Sequence, residues 1–234
     1  MLNNTFDIKK NIEFYLQNYK TRQSFFHDNE GFTLIELLVS VAIMTIVVSI
    51  VGVGLGTMLK QNRKAESESD RRANLNRALD YITNEVRSAN SIKTSASSGD
   101  NLTLPSGFNI PSNTYGLVLT FPDNTKSVYF LAPSDKGSTC NTTTSLWQCP
   151  FAIFRAQGSY ASGSTIPAGD SLMVVDGLKA PTSIPSCSNI SVGTSGFYGC
   201  ISNNRQVFLS LYGKLTETDS TTLEVSSTAV IRAK

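Results

Sequence analysis

Apolar side chains run almost unbroken from Phe32 to Leu59, 28 positions whose one charge is Glu36. A helix needs about 20 such residues to cross a bilayer, so this run predicts a membrane-spanning helix. From Lys60 to Arg72 the chain turns polar and charged, and apolar residues then recur at Leu75, Leu79, Ile82, Val86 and Ala89. Spacings of four, three, four and three put them on one helical face. No proline interrupts Phe32 to about Ser91. Gly52, Gly54 and Gly56 are the weak points, each costing up to about 1 kcal/mol relative to Ala. The pattern predicts one helix, apolar over 32–59 and amphipathic over 60–92, about 90 Å long at its normal rise per residue. The stripe beginning at Leu75 reads as core, buried against a sheet.

After Asn101 the period changes. Short apolar or alternating runs lie at Tyr115–Phe121, Ser127–Ala132, Phe151–Arg155, Ser171–Val175, Gln206–Leu211 and Leu223–Arg232, with Gly, Pro, Asn and Ser between them. They predict strands joined by turns and long loops, hence a β-rich domain over 93–234 and an α+β fold class: a long N-terminal helix packed on an antiparallel sheet. The stretches Ser134–Pro150, Ser159–Asp170 and Pro181–Arg205 carry few apolar groups. They read as solvated loops and as candidates for partner contact.

Removing 31 residues from the start of this 234-residue chain leaves about 140 beyond the helix, enough for one domain with its own core. Net charge is +2, and no basic stripe appears in the C-terminal part, so nucleic acid is not an expected partner. All four cysteines follow the apolar run, an even number in a Ser/Thr/Asn-rich context that suits an oxidising compartment. Four cysteines allow three connectivities. Cys140–Cys149 with Cys187–Cys200 is favoured, because each pair closes a short loop rich in turn formers. Their spacing contains no C-x2-C pair, so no metal is expected.

Glu36 changes how the apolar run is read. An ionised group in hydrocarbon costs at least roughly 2.5–3.5 kcal/mol and marks a function and a partner. A cut between Gly31 and Phe32 would create a positive α-amino group four positions away, on the same helical face. Gly31-Phe32-Thr33-Leu34-Ile35-Glu36-Leu37-Leu38 followed by the apolar run resembles the processing and assembly signal of type IV pilins and type II secretion pseudopilins. The resemblance implies a pilin-like fold and a prepilin leader over 1–31, with cleavage after Gly31 by prepilin peptidase and N-methylation of Phe32. It further implies that Glu36 pairs with the Phe32 amine of a neighbouring subunit during assembly. Partners implied are other pilins or pseudopilins and the inner-membrane assembly platform.

The 31-residue leader departs from the common short, basic pattern, with Asn29-Glu30 before the glycine and four basic residues against four acidic ones. Counting charge alone orients the span the opposite way, since Lys60, Arg63, Lys64, Arg71 and Arg72 all follow it. The resemblance and the cysteines place the C-terminal part outside the bacterial inner membrane before assembly, and in a pilus or periplasmic pseudopilus afterwards.

A second stretch, Arg77-Ala78-Leu79-Asp80-Tyr81-Ile82 with Glu85-Val86-Arg87, looks like the helix of minor pilins of the PilW and pseudopilin J (PulJ-like) group. The order of the later strands, through Phe154-Arg155 to Ala229-Val230-Ile231-Arg232, is similar as well. This points to a minor subunit that initiates or caps a filament, and the layout is similar to HpsC-like cyanobacterial pseudopilins.

Catalysis has little footing. The sole histidine, His27, lies in the leader, which removes His-based nucleophile and metal arrangements from the mature chain. Asp170, Asp176, Glu217, Asp219 and Glu224 are scattered, and Glu217 with Asp219 forms either a calcium loop or a solvated turn. No cofactor is expected. A non-polymerising surface adhesin and a membrane-tethered hydrolase are the alternatives to the structural subunit. Trp147 either packs on the first disulfide or serves as an exposed anchor.

Overall fold

The structure, a computed structural model, describes residues 31–96, 98–112, 114–135, 140, 147–186, 190–215 and 221–232. Its contacts divide the chain into two units, Met1–Leu59 and Lys60–Lys234. The expected long helix, α1, spans Leu34–Ser88 and contributes to both. In the first unit every described side chain is exposed, as an apolar helix without packing partners must be.

In the second unit α1 buries Leu75, Leu79, Ile82 and Val86 of the stripe that the spacing predicts, together with Arg71, Ala78 and Thr83, and Ala89 is buried just past its end. The helix stops short of the expected end near Ser91. The Ala89 amide turns back to the Val86 carbonyl, and the Asn90 amide leaves the helix for the Thr120 carbonyl. Competition from a neighbouring strand ends α1, and Ser91–Thr94 becomes the first strand, β1.

Eight more strands follow among the described residues: β2 (Leu117–Thr120), β3 (Lys126–Pro133), β4 (Phe151–Gly158), β5 (Ser171–Leu178), β6 (Ile190–Val192), β7 (Phe197–Ser202), β8 (Gln206–Lys214) and β9 (Thr222–Val230). All pairings are antiparallel, in the order β1-β2-β3-β4-β5-β8-β7-β6, with β9 on the other side of β8. The fold is therefore α+β, a long apolar helix followed by a curled antiparallel sheet. β6 and β7 correct the reading of Pro181–Arg205 as loop. Phe197, Gly199 and Ile201 point into the core and alternate with half-buried residues. The glycine and surrounding Ser and Asn hide this alternation in the sequence.

The sheet has two apolar faces. Tyr129 and Leu131 of β3 pack with the α1 stripe, Leu117, Leu119 and Ile153. Val128, Phe130 and Ala132 pack on the opposite side with Phe154, Leu102, Phe108 and Ile166. A strand covered on both faces has no polar side to show, which accounts for the unbroken Val-Tyr-Phe-Leu-Ala run. Phe108 meets the rings of Phe130 and Phe154 edge-on at 5.3 and 4.8 Å. The segment Ser159–Asp170 is thus no simple solvated loop: it carries Tyr160 and Ile166, the latter 1% exposed, into this second core.

Two arginine–carboxylate pairs tie α1 to the sheet in opposite senses. Arg71 of α1 donates to Asp176 of β5, to its carboxylate at 3.2 Å and to its carbonyl. Arg155 of β4 donates to Glu85 of α1 at 3.1 and 2.5 Å. Gly177 has φ +61, and a Cβ there would lie against the Arg71 guanidinium. Glycine is required at that position by both backbone and contact.

Candidate functional site

Gly31 and Phe32 precede the first turn of α1 and are exposed, Phe32 at 81%. Thr33 starts the helix. Its Oγ1 accepts from the Glu36 amide at 3.4 Å, and its carbonyl accepts from the amides of Glu36 and Leu37. Thr-x-x-Glu is capping-box spacing, with threonine at the N-cap and glutamate three residues later. Glu36 therefore lies in the first turn, where the positive end of the helix dipole favours a carboxylate.

The remaining polar side chains of this segment satisfy themselves. Ser40 Oγ donates to the Glu36 carbonyl, Thr45 Oγ1 to Ala42, Ser49 Oγ to Thr45 and Thr57 Oγ1 to Gly54. In hydrocarbon each hydroxyl would otherwise leave a donor unmet. Glu36 is the exception: its side chain has no hydrogen bond or ion pair among the described residues. The helix contains an 18-residue window of mean hydropathy 2.7, long and apolar enough to cross a membrane. One end of an apolar helix thus presents a lone carboxylate next to a candidate cleavage point.

The remaining expected residues belong to the second unit. Cys140 and Cys149 are joined by a disulfide. Cys200 is also disulfide-bonded, whereas Cys187 lies outside the described residues. The segment before Cys149 is pinned by Gln148, whose amide donates to Asp176 and whose carbonyl accepts from Gly177 and Ser134 Oγ. Trp147, next in line, is 51% exposed and lines a groove with Tyr81, Arg77 and Leu172.

Among the described residues, the candidate acids Asp170 and Asp176 are engaged separately. Asp176 is held by Arg71 and Asp170 accepts from Tyr160, while Glu217 and Asp219 lie outside the described residues. No group of three or more metal-ligating side chains occurs among the described residues.

Sequence reasoning missed the Glu85 cluster as a structural device, although it singled out Glu85 and Arg155 separately. Tyr129 Oη donates to Glu85 at 2.6 Å, and Arg155 lies 5.7 Å from the Tyr81 ring centre. Burial, then the hydrogen bond to Glu85, pushes the Tyr129 hydroxyl pKa well above its ordinary value. Burial works against the charge of Arg155, but the hydrogen bond and the charge of Glu85 outweigh it and the guanidinium pKa is raised. This is the chemistry of a clamp, in which the Tyr129 hydroxyl and the Arg155 guanidinium both hold their protons as donors.

A family described as "Prokaryotic N-terminal methylation motif" matches residues 27–52. No curated protein and no solved structure matches the chain. The match falls on the segment built around Thr33 and Glu36, and an apolar helix carrying it fits membrane anchoring.

Proposed function

Because the N-methylation motif indicates a type IV pilin-like protein processed by prepilin peptidase, we propose that this chain is a minor pilin or pseudopilin. It is cut between Gly31 and Phe32, methylated on Phe32, and polymerised through its apolar helix into a type IV pilus or secretion pseudopilus. The motif implies assembly with other pilins, and the role proposed for this one is to initiate or cap the filament.

The observation that carries the reading is the carboxylate of Glu36, without a partner among the described residues, in an apolar segment over 32–59 whose other polar side chains are satisfied internally. A charge of that kind in hydrocarbon calls for a countercharge. The new amine of a neighbouring Phe32 would supply it. Before assembly the helix anchors the chain in the inner membrane with its C-terminal unit outside, where the Cys140–Cys149 disulfide persists. Cys187–Cys200 is proposed as the second bridge. The protein so described is structural, not catalytic.

The test is mass spectrometry of sheared surface filaments and of the envelope from the native cell. The expected product begins at N-methylated Phe32. A chain retaining Met1 in both fractions overturns the reading. Glu36→Leu is expected to lower incorporation into filaments at least about tenfold, as loss of one desolvated charge pair implies, while the second unit stays folded. Normal incorporation of that variant removes the proposed role of Glu36.

A further inference from the structure

Strand β5 is half-paired. It runs beside β4 from Ala156↔Ser171 to Phe151↔Leu178, yet it meets β8 only at Leu178↔Gly213. The Gly177 amide is occupied by Gln148. Along Leu172–Asp176 no strand covers the other edge among the described residues. Open strand edges expose a row of main-chain donors and acceptors, and proteins usually blunt them with charge, proline or a covering segment. Leu172-Met173-Val174-Val175 has neither charge nor proline, and Leu172 is 68% exposed.

This edge forms one wall of a groove of about 530 Å³, whose other wall is a single face of α1. Asn74, Arg77, Ala78 and Tyr81 supply that face at positions i, i+3, i+4 and i+7. Charges along the groove are matched except for one. Arg155 is paired with Glu85 and Asp176 with Arg71, whereas Arg77 is exposed and has no hydrogen bond or ion pair among the described residues. The site therefore offers an extended main-chain edge, aliphatic walls and one uncompensated positive charge.

We propose that the groove binds an extended segment of a partner polypeptide that carries a carboxylate, adding it as a strand to β5 with the carboxylate against Arg77. Strand addition takes its affinity from main-chain hydrogen bonds and its selectivity from the side chains that flank them. The Asp176 carbonyl is taken by Arg71, so the open edge is Leu172–Val175, about 14 Å long at the strand rise, room for about four residues. The groove lies wholly within the second unit, so this inference stands or falls independently of how residues 32–59 assemble.

Trp147 is the only tryptophan of the chain and lines the groove, so its emission reports occupancy. The experiment titrates the full chain in detergent with a short peptide alternating Val and Thr around one Asp, and with its twin bearing Lys for Asp. The Asp peptide is expected to shift Trp147 emission saturably, to slow amide exchange in Leu172–Val175, and to bind about tenfold tighter than the Lys peptide, the scale of one partly exposed charge pair. Arg77→Glu, at an exposed position, is expected to reverse that preference. Equal binding of both peptides, no saturable shift, or an Arg77→Glu variant with unchanged preference overturns the proposal. So does a shift driven by protein concentration alone, which would assign the edge to a second copy of this chain.

Discussion

At Glu85 three donors converge on one carboxylate: Tyr129 Oη, Arg155 Nε and Arg155 Nη2. The Glu85 and Arg155 side chains are only 17% and 13% exposed, so water does little to screen or replace them. Removing one member therefore costs more than the pair contributes. Arg155→Leu is expected to destabilise the second unit by about 3 kcal/mol, because it leaves a largely buried carboxylate short of its countercharge. The double variant Glu85→Leu/Arg155→Leu should recover part of that loss, since an apolar replacement of the whole pair is close to neutral. Urea denaturation of the single and double variants checks both statements. Recovery will be incomplete because the Tyr129 hydroxyl then loses its acceptor.

At the scale of elements, α1 docks through a stripe whose period is visible in the sequence, and its energetics follow from burial. Ile82 is fully buried, so Ile82→Ala is expected to cost roughly 2–5 kcal/mol, read from the same denaturation curves. The Cys140–Cys149 bridge has a sequence separation of 9 and fastens the segment that carries Gln148 and Trp147. Replacing both cysteines by Ala should destabilise the unit by about 2–3 kcal/mol in the chain-entropy account. It should also broaden Trp147 emission, since the pinned segment loses one of its ties.

The strands were legible to unequal degrees. β3 and β4 declare themselves by apolar runs, as strands covered on both faces do. β1 has a single apolar residue, Ile92, and follows a helix with no proline to stop it. β7 owes its existence to six consecutive partners on β8, a property its own composition does not contain.

For the whole molecule, several tyrosines couple folding to alkaline pH. Burial and then Asp170 push the Tyr160 hydroxyl up to about 12, and burial and then Glu224 do the same for Tyr212. Tyr129 is raised as well. A tyrosine in the unfolded chain ionises near pH 10. Each raised group therefore contributes stability that is fully present below about pH 10 and lost as the pH rises through its folded value. Stability should be insensitive to these groups at neutral pH and fall between about pH 10 and pH 12. Denaturation midpoints measured across that interval test this. Tyr160→Phe should flatten part of the slope.

Local order along the chain determined a good deal by itself. The run Phe32–Leu59, its lone carboxylate at Glu36 and the Leu75–Val86 stripe all depend on spacings within a turn or two of one helix, which the order of residues contains outright. The α+β class follows from the change of period after Asn101 in the same way. Only the tertiary structure decided that Arg71 meets Asp176 and Arg155 meets Glu85, contacts between residues 105 and 70 positions apart. It alone turned Ser159–Asp170 into a second core, paired β7 with β8, and left the edge of β5 open beside Arg77. Those outcomes depend on which strands become neighbours and in what register. That choice is set by the packing of distant side chains together, and no local pattern encodes it.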